Sequence, residues 1–587
     1  MKTIKKIISL GLLAGLTIGC EDLKFGTNFL EKPMSDEVSI DTVFSAKRYA
    51  DQALNQFYKS LPDYMPAGNG YHPEAFILDN FSDLGYTTRL AWNHGSITSA
   101  SHRNHFPYWL TNGEVMGDPT FGIRKAYIYI ENVDKVPDMS DEEKKIRKAE
   151  AKVVIGYHYM DMIRYYGAMP WIDHAYSAEE VFKFPRLTLE ETVAKTVDLL
   201  DEAAKDLPWF TTDAEYGHMT AAVAKAIKFR LLMFVASPLF NNEVPYYEGQ
   251  AATEHLSWYG DYQENRWRAA LEAGKEFLRL NKENGDYYRV ENTGNPREDY
   301  INGYFTKGNR EVVMASFRWG VYEKGIKPFR MYDQGYSLPR GNHADMFLWH
   351  DGSKFDWNNP EHKAHPFFDA AGNPTRDIRL YETLVVNGDK YKGRKAEVYR
   401  GGREGFGTGA KEGMKFQFGY GFRKFIRDKA NEMDKKPYSC PLIRMPEIYL
   451  YMAEVMNQLG QASVKDEFGM DAYDYLNLVH ERAGLPPVIV AEVPSGEPLL
   501  EYLLDERARE FGQEDIRYHD MRRYRKGAEW ATRPLEELVT TKEGDKFNYQ
   551  VNVREEKYLW YDHWYLIPFP VSEINKKYGL IQNPGWE

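Results

Sequence analysis

Residues 188–208 read TLEETVAKTVDLLDEAAKDLP, and this stretch decides the kind of fold the chain makes. Thr188 and Glu191 carry the S/T-x-x-E spacing of a capping box, in which each side chain reaches the other residue's backbone N–H and closes the start of a helix. Behind the cap, Val193, Val197, Leu200, Ala204 and Leu207 fall on one helical stripe, and Pro208 stops it. A partner helix follows from Thr220 to Ser237.

The same periodicity recurs outward in both directions. From Ser45 to Leu61, Tyr49, Ala53 and Phe57 repeat at i, i+4, i+8 ahead of Pro62; residues 145–165 are helical by pattern, as is Trp267 to Leu280. Pro446 to Leu459 precedes a stripe of Ala472, Leu476, Val479 and Ala483, closed by Gly484 and Pro486. Helix pairs separated by irregular insertions predict a mostly α, helical-repeat scaffold of tetratricopeptide type with few short strands, its repeats degenerate because no fixed 34-residue period runs through them. Two polar stretches rich in glycine and aromatics, about 62–118 and 284–435, are too long for ordinary connections. Long loops on a rigid scaffold are where binding residues concentrate.

At the N-terminus, Lys2, Lys5 and Lys6 precede an apolar run from Ile7 to Ile18 that ends in Gly19-Cys20, the pattern of a bacterial export signal over residues 1–19. The run is too short to span a bilayer. A cysteine after a small residue at such a site is expected to be lipidated, although Thr17 stands where leucine is preferred; Glu21 and Asp22 fit surface export, and 20–40 would be the tether. With Cys20 committed to lipid, Cys440 is the only other thiol, so the fold has no internal disulfide to lean on. The net charge of −12 argues against nucleic-acid or anionic-membrane partners. Forty-two tyrosines and 13 tryptophans exceed core needs and suit flat, amphipathic contact surfaces.

Several blocks, in order, resemble the SusD/RagB family of nutrient-uptake lipoproteins. In the N-terminal half they are Phe29-Leu-Glu-Lys-Pro33, Asp79, Ser82-Asp83, Asn132, Ala149-Glu-Ala151 with Tyr159, and Tyr166-Gly167-Ala-Met-Pro170. Ile155-Gly156 departs from the Arg-Ala pair usual there. The C-terminal half is more specific: Arg376-Asp377-Ile-Arg379, Arg423-Lys424-Phe425, Glu447, Ala453-Glu454, Asn477 and Arg482-Ala-Gly484-Leu-Pro486. Then come Glu506-Arg507, Glu510-Phe511, Glu514, Arg517-Tyr518, Asp520, Arg523-Tyr524, Ile567-Pro-Phe-Pro570, Glu573-Ile574 and Gln582-Asn-Pro-Gly585. The resemblance implies one globule over 41–587 on four tetratricopeptide-like helix pairs, with the ligand site in the irregular elaboration. It further implies an outer-membrane lipoprotein facing the exterior, which captures oligosaccharide without cleaving it and delivers it to a SusC-like TonB-dependent transporter. The alternative is peptide capture, as in the RagB branch.

Sugar capture needs aromatic faces for the C–H side of a pyranose and polar groups for its hydroxyls. The first cluster of that kind is Asp83, Tyr86, Arg89, Trp92, Asn93 and His94; the second is Trp319, Tyr322, Tyr332 and Tyr336, with Trp349 and Trp357 beyond. Trp92 has a plain reading as a packed residue, since tryptophan is buried on average. Trp560, Trp564 and Trp586 are read as structural, and Trp109, Trp171, Trp209 and Trp267 as core. The charged run Glu506, Arg507, Glu510, Arg517, Asp520 and Arg523 is read as a structural ion network along a helix face. No catalytic residue is assigned: Gly-x-Ser-x-Gly, His-Glu-x-x-His and phosphate-loop motifs are absent from the sequence. His362 with His365, and His102 with His105, have metal-like spacing but no clear third ligand, so no metal or cofactor is expected; carboxylate-rich loops leave a structural calcium open without an EF-hand pattern.

Overall fold

The structure, a computed structural model, describes residues 39–62, 78–87, 97–101, 118–177, 180, 183–318, 337–406, 416–425, 438–556 and 558–587. Helices α1 (Lys47–Tyr58), α2 (Pro119–Asn132), α3 (Asp141–Tyr166), α4 (Leu189–Ala204), α5 (Ala221–Ala236) and α6 (Glu264–Glu283) build the N-terminal half. Each neighbour in this series packs on the next. The expected capping box opens α4: Glu191 N–H donates to Thr188 Oγ1 and Thr188 N–H to Glu191. Thr220 caps α5 through Val223 N–H, and Asp118 caps α2 with Pro119 at its first position. Helix α3 is the axis of the bundle. Ser140 caps it, three acidic residues follow at the positive end of its dipole, and every residue from Val153 to Tyr166 is buried.

The second insertion is partly structured. It carries α7 (Pro296–Phe305), and strand β2 (Val312–Arg318) pairs antiparallel with the strand Tyr438–Arg444, closing more than a hundred residues of chain. Within it lie β3 (Leu338–Pro339), which pairs with β1 (Gly85–Tyr86) of the first insertion, then β4 (Leu384–Val385) and β5 (Gly421–Phe422), which pair with each other. Strand β6 (Tyr438–Arg444) runs directly into α8 (Met445–Gln458), followed by α9 (Ala472–His480), α10 (Glu497–Phe511) and α11 (Arg517–Arg523). After α9 a 3₁₀ turn ends at Gly484, whose φ of +80° is the left-handed stop expected there. A hairpin of β7 (Glu536–Glu543) and β8 (Lys546–Val553) was not foreseen. Phe547, Tyr549, Val551 and Val553 alternate with polar residues, the period-2 pattern of a half-buried strand, and on β7 Leu538 and Thr540 are buried.

One continuous core draws on residues from Phe44 to Trp586, Trp209, Trp267 and Trp564 included, while Trp171 and Trp560 pack against it. Trp109 lies outside the described residues. Among the described residues, no helix is long and apolar enough to cross a membrane.

Gly156 explains the departure from the usual Arg-Ala pair. A Cβ there would stand 2.6 Å from Leu200 Cδ2, so α3 and α4 approach more closely than a side chain permits. Gly156→Ala gains about 1 kcal/mol of helix propensity but incurs about 1–3 kcal/mol of overpacking. It is expected to lower the thermal unfolding midpoint in the wild type and to be neutral or stabilising in a Leu200→Ala background. A rise in midpoint with Leu200 intact would remove the close-approach account.

Candidate functional site

Strands β1 and β3 form a ladder in the register Gly85–Pro339 and Tyr86–Leu338. The segment bearing Arg89, Trp92, Asn93 and His94 leaves β1 just after Thr87, and the segment bearing Trp319, Tyr322, Tyr332 and Tyr336 enters β3 through Ser337. All eight of those residues lie outside the described residues. What is placed is their common root, so two clusters more than two hundred residues apart in sequence depart from adjacent strand ends.

That root corrects two expectations. Asp83 and Tyr86 were named as ligand contacts, but both are buried in the base of the ladder. Asp83 is 0% exposed; its oxygens accept from Arg517 Nε and Nη2, each at 2.9 Å, and from Arg533 Nη1 at 2.8 Å. Burial works against its charge, yet Arg517 and Arg533 hold the carboxyl below the usual range. Tyr86 stacks on Tyr558 with centroids 5.6 Å apart and leans on Phe418, with Leu338 and Leu535 completing the cluster. Neither presents a group to a ligand; both fix the ladder. Arg340 adds a further tie, its Nε donating to the Gly85 carbonyl at 2.8 Å and its guanidinium lying over Tyr558.

Under the ladder, the 3₁₀ turn Leu78–Phe81 is held by two more carboxylates. Asp79 Oδ2 accepts from Gln513 N and Nε2, and Asp515 Oδ1 accepts from Leu78 N. Burial pushes the Asp79 carboxyl up to about 7, and burial together with Asp79 raises Asp515 well above its ordinary value.

The charged run on α10 and α11 is sealed. Arg379 Nη1 donates to Glu506 at 2.8 Å and Glu510 at 3.2 Å; Glu510 also takes Arg482 at 2.6 Å and Arg444 at 2.8 Å. Asp520 accepts from Arg507 and Arg523, each at 2.8 Å. Burial opposes ionisation of Glu506 and Glu510, but Arg379 acts on both and, with their other basic partners, holds both carboxyls low. A general acid needs the opposite shift and access to substrate, so these residues are structural.

The remaining sequence-flagged groups are also accounted for. His362 accepts from Asp356 N–H and packs with Trp349 and Phe355 in one aromatic cluster in the interior. Trp349 is buried there, and Trp357 donates to Asp345. Among the described residues, no group of three or more His, Cys, Asp and Glu side chains stands in a metal-holding arrangement. His102 and His105 are outside the described residues.

A second concavity is absent from the sequence reading. Helix α7, residues 364–374, residues 382–395 and the β7–β8 hairpin enclose a cleft of about 1040 Å³. Its aromatic residues come from four separate segments, so no run of sequence signals it.

The buried Asp79 carboxyl ties stability to pH. Its folded pKa lies above its unfolded one, so its favourable contribution is complete below about pH 4 and is lost as pH rises through about 7. Asp515, Asp83, Lys424 and Arg517 face it and contribute to its environment. Asp79→Asn is expected to stabilise the protein at pH 8 and to flatten the decline between pH 4 and 7. Equal destabilisation at every pH in urea titrations would show that its role is hydrogen bonding alone.

With this geometry established, likeness to known proteins is informative. The model of the SusD family matches residues 281–586, a little over half of the chain. A search of curated proteins finds no match. Solved structures of similar fold include a SusD-like protein from Bacteroides fragilis, at 20% identity and a TM-score of 0.70, covering 94% of this chain and 99% of that one. A SusD-like carbohydrate binding protein from Bacteroides fragilis follows at 19% and 0.65, covering 91% and 99%. Surface glycan-binding protein A from Bacteroides fluxus stands at 15% and 0.58, covering 92% and 100%. At such identities these likenesses speak to fold, and the mostly helical architecture is theirs. On the strength of the family match over its C-terminal half, the chain belongs to the SusD family.

Proposed function

We propose that this SusD-family chain is a cell-surface lipoprotein, anchored at Cys20, that captures oligosaccharides and delivers them to a SusC-like TonB-dependent outer-membrane transporter. The observation that carries the reading is the β1–β3 ladder. It sets side by side the strand ends from which the segments bearing Trp92 and Trp319 depart, on a base fixed by the bidentate Asp83–Arg517 pair. A pyranose needs aromatic faces and hydroxyl partners converging from more than one segment, and a rigid root lets long loops present them. Solved structures of like fold are named as carbohydrate- or glycan-binding, which supports the same ligand class. The export signal ending in Gly19-Cys20 supports the anchor, and a tether raises the local concentration of captured ligand at a transporter mouth. Binding without cleavage fits the sealed state of the acidic network.

Affinity electrophoresis against a polysaccharide panel tests the ligand. Retardation in at least one gel is expected, weakened about tenfold by Trp92→Ala or Trp319→Ala, since one lost aromatic platform is worth on the order of 1–1.5 kcal/mol. No retardation in any gel, with heat released instead on titration with peptide mixtures, would move the protein to peptide capture.

The anchor is tested separately. Cys20→Ala should move the protein from the membrane to the soluble fraction, and intact-mass measurement should find acyl chains on the native N-terminus. An unmodified Cys20 would remove the anchor from the proposal.

A further inference from the structure

The cleft beside α7 has a floor and walls of different chemistry. On the floor, Arg297 Nη2 and Nη1 donate to Asp389 at 2.9 and 3.2 Å, and Arg297 Nε pairs with Glu382. Arg423 Nη1 donates to Asp389 at 2.8 Å and also to the Lys390 carbonyl. Two guanidinium groups thus meet two carboxylates, and the floor carries no net charge. Arg423 is 4% exposed and lines the cleft.

The walls are aromatic and half-buried: Phe305 on α7, Phe368 on the opposite segment, and Phe547 and Tyr549 on β8. Phe368 is braced on Tyr381 at 5.3 Å, and Tyr549 meets Phe367 edge-on at 5.8 Å. The rings are held in place by packing behind them, yet part of each remains in contact with solvent. The cleft's 1040 Å³ lies at the upper end of the roughly 300–1,000 Å³ typical of small-molecule sites.

From this arrangement we infer that the cleft is a second carbohydrate-binding site, built for a neutral oligosaccharide and separate from the loops rooted at the β1–β3 ladder. Five acidic and four basic residues line the cleft, so its charge is close to balanced and favours neither a phosphate nor a metal ion. Fixed carboxylate and guanidinium groups offer both acceptors and donors, which is what vicinal hydroxyls require. Solvent-touching rings cover the apolar face of a sugar. The inference shares a ligand class with the proposed function but rests on none of the same residues.

Hydrogen–deuterium exchange on the full chain tests it, with malto-, cello-, xylo-, laminari- and manno-oligosaccharides at millimolar concentration and a tryptic peptide mixture as the contrasting probe. At least one oligosaccharide should slow exchange severalfold in peptides covering 364–374 and 545–551. That protection should persist in Trp92→Ala and vanish in Phe368→Ala/Tyr549→Ala, whose partly exposed sites leave the fold intact, as unfolding midpoints would verify. No protection by any sugar, protection surviving the double substitution, or protection by the peptide mixture instead would overturn the site. Because Trp92→Ala isolates the ladder loops, failure of the cleft and failure of the glycan-capture reading give different patterns.

Discussion

The carboxylate of Glu510 is the point on which the C-terminal half depends. It is buried on α10 and takes guanidinium donors from Arg379, Arg444 and Arg482, three residues from three separate stretches of chain. Around it, Arg379, Arg444, Arg482, Arg509 and Lys424 face Asp377, Glu311, Glu506, Glu510 and Glu514, five charges of each sign. Taking one charge out of water costs several kcal/mol, and removing one partner strands the other. The lattice therefore tolerates only the arrangement in which all its segments arrive together. Its gain is specificity of assembly more than net stability: β2, the segment after Trp349, β6, the turn after α9, and α10 are all fixed against one another.

The same device extends to the candidate site. Arg517 follows α10 by six residues, stacks on Trp530 at 3.4 Å and pairs bidentately with Asp83. The base of the ladder is thus tied to the end of the helix that carries the ion lattice. A base fixed in this way holds the departing ends of β1 and β3 in register.

Local signals made the scaffold legible. The Thr188–Glu191 box, the α9 stripe and Gly484 act over a few residues and stand where their spacing placed them, while α1 buries Ala50, Leu54 and Phe57 rather than the stripe of Tyr49, Ala53 and Phe57. The charged run on α10 and α11 was legible in part. Arg523–Asp520 is an expected helix-face pair, but Glu506, Glu510 and Arg517 find their main partners across the fold. Asp83 and Tyr86 were misread for the same reason. A polar and an aromatic residue in a long loop look like binding groups until Arg517 and Tyr558, more than four hundred residues away, are brought against them. The cleft was hidden because its lining comes from several separate segments, whereas β8 does carry the period-2 alternation of a strand.

The two charge clusters differ in a way that bears on what each does. In the Glu510 lattice every member is within 5% of complete side-chain burial, and alternating charges close on one another. At the cleft, Arg297 keeps about a quarter of its side chain in solvent. A purely structural ion cluster has no reason to stop at an open concavity ringed by partly exposed aromatic residues, because apolar replacement of its members would be at least as stable. A cluster that must meet water in the empty state and hydroxyl groups in the filled one does have such a reason, and only the second cluster is built that way.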